Sequence, residues 1–250
     1  MKITIVTVSY NSAATIERTL QSVASQTYGD IEHLIIDGAS KDDTLKIVKR
    51  FPHVSQVVSE KDEGMYDAIN KGLNMASGDV VGILNSDDAL NGPTVISQVM
   101  QAFENDNELG MIYGDIRFVP PQNLDKTVRY YSSAHFHPGK FEWGFMPAHP
   151  SCYIKRGAYE KYGNFQIDYH IAADYELLTR FMYKHQIKAK YLPLLMVDML
   201  TGGRSNETLK SRWVLNEEIV RGCAENGIST NMLKLSLKYF RKVFEFMRKG

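Results

Sequence analysis

Over its first 90 residues the chain alternates four short apolar runs with three amphipathic stretches. The runs are Ile3 to Val8, Ile31 to Ile36, Val54 to Val58 and Val80 to Leu84, rich in Val and Ile as expected of strands buried on both faces. Between them, Ile16, Leu20 and Val23 share one helical face, with Asn11 or Ser12 available as cap. Ser40 and Asp43 resemble a capping box ahead of Leu45 and Val48, and Tyr66 to Met75 carries Ala68, Ile69 and Leu73. Such alternation demands right-handed crossovers and a parallel sheet with helices on both faces. Ligands of such sheets bind at the carboxyl ends of the strands. The polar residues gather there: Thr7 and Ser9, Asp37, Glu60 and Asp62, Asp87 and Asp88.

Beyond residue 100 the rhythm changes. Met111 to Phe118 and Thr127 to Tyr131 read as a β-ribbon around Pro120-Pro121, and Tyr153-Ile154 as a short strand. Tyr169 to Tyr183 reads as a helix carrying Asp174 and Glu176, followed by helices around Leu209 to Cys223 and Met232 to Met247. No repeat or low-complexity linker divides the 250 residues, which suit one large α/β domain with a C-terminal helical appendage.

Twenty-nine basic and 29 acidic side chains cancel, which argues against a nucleic-acid binder. The cancellation is regional: residues 231–250 carry a net +5 and the remainder −5. That tail places Leu233, Leu237, Phe240, Phe244 and Met247 in one stripe among lysines and arginines. It suits an anionic membrane surface, or equally packing on its own domain or on a second subunit. No apolar run approaches the roughly 20 residues that span a bilayer, so the expectation is a cytoplasmic protein, soluble or held to the inner membrane face from the side. Cys152 and Cys223 cannot form a disulfide framework or a zinc site and read as buried thiols.

Asp87 and Asp88, following a buried strand, are hard oxygen donors suited to Mg2+ or Mn2+ carrying a diphosphate; the alternative is a solvated turn. Asp37 stands where a carboxylate grips a ribose or base, or is a turn residue before Gly38. No G-x-G-x-x-G follows the first strand, which excludes the usual dinucleotide cofactors.

Four segments in order, Ile5-Val6-Thr7-Val8-Ser9-Tyr10-Asn11-Ser12, Ile35 to Thr44 (IIDGASKDDT), Ser59 to Gly72 (SEKDEGMYDAINKG) and Leu84-Asn85-Ser86-Asp87-Asp88, resemble family 2 glycosyltransferases of the GT-A fold. The resemblance continues more loosely through Ala148-His149-Pro150-Ser151, Ala173-Asp174-Tyr175-Glu176 and Gly202-Gly203-Arg204-Ser205, and is similar to small bacterial transferases of surface polysaccharides. It implies a Rossmann-like, mostly parallel sheet, with a nucleotide-sugar half over about 1–110, an acceptor half over about 111–205, and helices over 206–250.

By the same resemblance Thr7 and Ser9 line the nucleotide pocket and Asp37 holds the uracil or ribose of a UDP-sugar donor. Asp62 and Lys71 contact the donor, and Asn85-Ser86-Asp87 occupies the D-x-D position with Asp87 as metal ligand. Asn85 replaces the first carboxylate and removes one negative charge, which Asp88 is placed to restore. Asp174 matches the catalytic base of an inverting transfer, with Ala173 where relatives are often acidic. His149 falls near the acceptor or diphosphate as a third metal ligand or phosphate donor, and Arg204 and Lys71 are cations for the leaving diphosphate. Arg212-Trp213 resembles the tail of a processive motif, but Leu209 breaks it, so the enzyme reads as non-processive. The implied function is transfer of one sugar to a hydroxyl of a lipid-linked or oligosaccharide acceptor. The alternatives are a family member that binds without turnover, or a sugar-1-phosphate nucleotidyltransferase. Tyr10-Asn11-Ser12 lacks the glycine-rich basic loop the latter requires.

Overall fold

The computed structural model describes residues 1–202 and 209–236. Arg204 and residues 237–250 of the basic tail lie outside them.

In chain order the elements are β1 (Ile3–Ser9), α1 (Ile16–Ala24), β2 (Ile31–Asp37), α2 (Thr44–Val48), β3 (Val54–Ser59), α3 (Met65–Met75) and β4 (Val80–Ile83). Then come β5 (Asp88–Leu90), α4 (Val95–Asn105), β6 (Met111–Val119), β7 (Arg129–Tyr131), β8 (Tyr153–Lys155) and α5 (Arg156–Tyr162). α6 (Ala173–Thr179), β9 (Ala189–Leu200) and α7 (Leu209–Glu225) complete the set. The strands form one mixed sheet in the order β3-β2-β1-β4-β8-β6-β9-β5, with β7 added to β6. The β3-β2-β1-β4 half is parallel, as the strand–helix alternation demands. Beyond β4 the pairing turns antiparallel, except for the parallel pair β6 and β9.

Alternation along β1 assigns the two faces of the sheet. Val6 and Val8 join a core built with α3 and α6, including Ile69, Leu73, Leu177 and Phe181. Ile3 and Ile5 join the opposite core, with Val99 and Phe103 of α4. Gly72 lets α3 approach the sheet closely, since a Cβ there would lie 2.3 Å from Val6 Cγ1. α7 is more than an appendage: Ile219 and Cys223 are buried in the same core as α6. Both cysteines are free and buried. No helix among the described residues is long and apolar enough to cross a membrane.

Three local readings are corrected. Ser40 does not cap α2; its hydroxyl donates to Asp37 Oδ1 at 2.5 Å, and the helix begins after Asp43. Neither Asn11 nor Ser12 caps α1, which begins one turn later after Thr15. The helix expected from Tyr169 begins only at Ala173, because the segment before it is gripped by α7, and it ends in a π-helical turn over Arg180–Lys184.

Candidate active site

The register of the parallel half sets Ser9 beside Asp37 and Asp37 beside Ser59. Asp37 is fully buried, and each of its oxygens accepts two hydrogen bonds. Oδ1 takes the hydroxyls of Ser9 at 3.0 Å and Ser40; Oδ2 takes the Ser40 N–H at 2.9 Å and the Ser59 hydroxyl at 2.7 Å. A ligand reaching Asp37 must therefore displace a serine. Next to it, a Cβ on Gly38 would fall 2.5 Å from Asp62 Oδ2 and 3.3 Å from the Tyr10 ring, so glycine lets Asp62 and Tyr10 close over the end of β2. Asp62 also accepts the Gly64 N–H at 3.0 Å, shaping the turn into α3.

Thr7 does not line this crevice. It is buried, with its hydroxyl 3.0 Å from His33 Nε2, and His33 Nδ1 stands 3.0 Å from His53 Nε2. Lys71 forms ion pairs with Glu60 at 3.0 Å and Asp67 at 3.3 Å and donates to the Lys61 carbonyl, pinning the loop from β3 to α3. To serve a diphosphate it must exchange one of these partners.

The turn after β4 completes this end of the sheet. Asp88 N–H donates to the Asn85 carbonyl at 3.0 Å, and the Ser86 hydroxyl bonds Ser12 Oγ at 2.8 Å. Asp88 heads β5, held by β9, and is 1% exposed; burial, reinforced by Asp87, pushes its carboxyl well above the usual range. Asn85 Nδ2 reaches Asp88 Oδ2 at 3.3 Å, while Asn85 Oδ1 is buried without a hydrogen-bond partner. Arg18, a residue the motifs do not reveal, comes from α1 to donate to the carbonyls of Asp87 at 3.3 Å and Asp198 at 3.2 Å.

The carboxylate oxygens of Asp87 and Asp88 and the unpartnered Asn85 amide oxygen are donors of the kind that suit Mg2+ or Mn2+, which keeps much of its shell for water and substrate phosphates. Among the described residues, however, no three His, Cys, Asp or Glu side chains are grouped to hold a metal ion. Among the described residues His149 is not grouped with Asp87 and Asp88. Its ring stands edge-on to Phe165 at 5.5 Å, and burial lowers its pKa to about 4.

Asp174 occupies the first turn of α6. Its Oδ1 accepts the Tyr175 N–H at 2.8 Å, and burial, more than any neighbouring charge, raises its pKa to about 6. Tyr66 ties this helix start to α3: its hydroxyl donates to the Ile171 carbonyl at 2.6 Å, and its ring stacks on Phe165 at 5.7 Å. Glu176 points away, paired with Arg180 at 3.0 Å in the core.

Residues 4–163 match the family model described as glycosyl transferase family 2. Among curated relatives, an uncharacterized glycosyltransferase of Mycobacterium tuberculosis is 32% identical over 184 residues, covering 71% of this chain and 68% of the relative. A PGL/p-HBAD biosynthesis glycosyltransferase of the same species is 27% identical over 195 residues, covering 72% and 73%. Staphylococcus aureus TarS 1–349, solved with UDP-GlcNAc, superposes with a TM-score of 0.70 at 16% identity, covering 92% of this chain and 68% of that one. A mannosyltransferase from Pyrobaculum calidifontis, solved with GDP-Man and Mn2+, gives a TM-score of 0.65 at 19% identity, covering 90% of this chain and 63% of its own. At such identities these two structures speak for the fold alone. The family match over residues 4–163, on the GT-A fold now described, establishes that the chain belongs to glycosyl transferase family 2 and is a glycosyltransferase.

Proposed function

We propose that the protein transfers one sugar, with inversion, from a nucleotide-sugar donor to an acceptor hydroxyl, with Asp174 as general base. The observation that carries this is a half-buried carboxyl in the first turn of α6, at a helix start tied to α3 by the Tyr66 hydroxyl on the Ile171 carbonyl; burial raises its pKa to about 6, which leaves it ionised at neutral pH yet basic enough to take a proton. In the transfer, the acceptor oxygen bonds to the anomeric carbon as its proton passes to Asp174. The bond from that carbon to the diphosphate oxygen breaks, and its electron pair leaves with the nucleoside diphosphate.

The donor half spans about residues 1–110 and the acceptor half about 111–205. The exposed Tyr10 ring beside Gly38 and Asp62 offers a face for the base. Ser9, Asp37 and Ser59 provide polar groups for uracil or ribose once Asp37 exchanges a serine partner. Asp87, with Asp88 and the Asn85 amide, would hold Mg2+ or Mn2+, which when bound stabilises charge on the leaving diphosphate. Arg18 holds the Asp87 carbonyl and so keeps that turn in place. Lys71, Ser86 and Arg204 are the further donor contacts. UDP-sugars are the first donors to test, because TarS was solved with UDP-GlcNAc, and GDP-Man the second.

A lipid-linked or oligosaccharide acceptor of surface-polysaccharide synthesis fits the basic, amphipathic segment 231–250, which would hold the enzyme peripherally on the inner membrane face or join two copies. Nucleoside diphosphate release is assayed with each donor, with and without Mn2+. Donor-dependent release lost in Asp174→Asn supports the assignment, and release unchanged in that variant refutes it.

A further inference from the structure

We propose that Glu218 is a positioning residue for Asp174: its buried carboxylate accepts three successive backbone N–H groups ahead of α6 and thereby determines where that helix starts. The inference rests on the assignment of Asp174 as base. Glu218 Oε1 receives the His170 N–H at 2.7 Å, and Oε2 receives those of Ile171 at 2.9 Å and Ala172 at 2.8 Å. Asp174 follows two residues after the last of them. Charge-assisted bonds of this kind are roughly twice as strong as neutral ones, and three converging on one carboxylate leave the segment little freedom.

Glu218 acts within one face of α7. Residues 218, 221, 222 and 225 recur at the three- and four-residue spacing of a helical stripe, and all four meet the segment Asp168–Ala172 or α6. Arg221 pairs with Asp168 and lies over the Tyr169 ring at 4.2 Å. The Tyr169 hydroxyl donates to Glu225 at 2.7 Å. Gly222 faces Glu176, where a Cβ on it would stand in ordinary van der Waals contact, 3.5 Å from Glu176 Cβ. One residue further, Asn226 donates to Glu176 Oε1 at 3.2 Å. From the other side, Tyr66 donates to the Ile171 carbonyl. The peptide units that lead into α6 are therefore clamped between α7 and α3.

The same carboxylate places a negative charge near Asp174 and adds to the effect of burial on its pKa. Asp174 in turn adds to burial in raising the Tyr66 hydroxyl on α3 and the Cys152 thiol, both neutral at physiological pH. A role confined to stability would leave the base's titration untouched, whereas a positioning role links Glu218 to it.

The experiment compares kcat, donor KM and the pH profile of kcat for the full-length wild type, Glu218→Gln and Asp174→Asn, with circular dichroism to establish folding. Glu218→Gln is expected to lower kcat at least tenfold with donor KM within about threefold, and to move the acid limb of the profile to lower pH. A folded Glu218→Gln with wild-type kcat and an unmoved acid limb overturns the positioning role while Asp174→Asn remains inactive. Turnover surviving in Asp174→Asn instead removes the base assignment, and the inference with it. Should Glu218→Gln fail to fold, Glu218→Asp serves: it keeps the charge one methylene short. A reduced kcat at unchanged donor KM supports the role there, and wild-type kcat overturns it.

Discussion

Replacing Asp174 by Asn separates what this residue does for catalysis from what it does to the fold. The carboxyl titrates near 6 in the folded chain, against an ordinary value near 3.8, a gap of about two pKa units. At about 1.4 kcal/mol per unit, keeping it ionised costs the fold about 3 kcal/mol, and about half of that once partial solvent contact is allowed for. Because the folded-state pKa is raised, the protonated carboxyl is the stable form. The stability is complete below pH 3.8 and is lost as pH rises through 6. Asn imitates the protonated carboxyl at every pH. The variant should therefore melt about 3 to 6 °C above wild type at pH 8, with most of that difference gone at pH 4.5. Turnover at pH 8 should fall by roughly 100-fold or more, the usual contribution of a positioned base. Melting curves by fluorescence at both pH values, with nucleoside diphosphate release as the activity measurement, make the comparison. A melting difference that is the same at both pH values would refute the reasoning, because a change of shape alone has no reason to depend on pH.

Other outcomes follow from particular contacts. The wild-type kcat profile should rise through an apparent pKa near 6 as Asp174 ionises; a limb near 4 in the same assay argues against a desolvated base. In Gly38→Ala the new methyl meets Asp62 Oδ2 at 2.5 Å, so donor KM should rise about tenfold while the melting temperature, read by fluorescence, moves by less than about 2 °C. Gly82→Ala drives a methyl to 2.7 Å from the Tyr153 ring and should cost about 1 to 3 kcal/mol, read from urea midpoints. His33 is fully buried and its pKa is lowered to about 3, mainly by burial and then by His53. The stability it confers is present above pH 6.5 and drains away towards pH 3. His33→Gln should flatten acid unfolding over that window, followed by circular dichroism.

The parallel half was legible because each of its strands is a short apolar run bounded by turn residues, and its helices show one buried stripe. β9 was not. Ala189–Leu200 contains Pro193, which argues against a strand, yet the proline falls where the register between β6 and β9 shifts and the ladder is broken. β5, three residues long, is shorter than any periodicity can show and depends on β9 for its pairing. Within the site, the strand–helix pattern placed Asp37, Asp62 and Asp87 at the carboxyl ends of the strands, where they stand. It could not show that Thr7 faces His33, nor that Asp37 is saturated by three serines, since both depend on side-chain direction. Arg18 and Glu218 carry no motif at all; they reach the site from 69 and 46 residues away through the packing of α1 and α7.

The order in which the chain is made gives the clamp of α7 on α6 a further meaning. Synthesis proceeds from the N-terminus, so the parallel strands β1 to β4 can associate while the rest is still unmade. The Asp88 strand, by contrast, waits for β9, and the approach to Asp174 waits for Glu218, near the end of the described chain. A nascent or prematurely terminated polypeptide would therefore own the parallel half of the sheet while the segment ahead of Asp174 is still unheld. The clamp on the approach to α6 forms only once α7 has emerged.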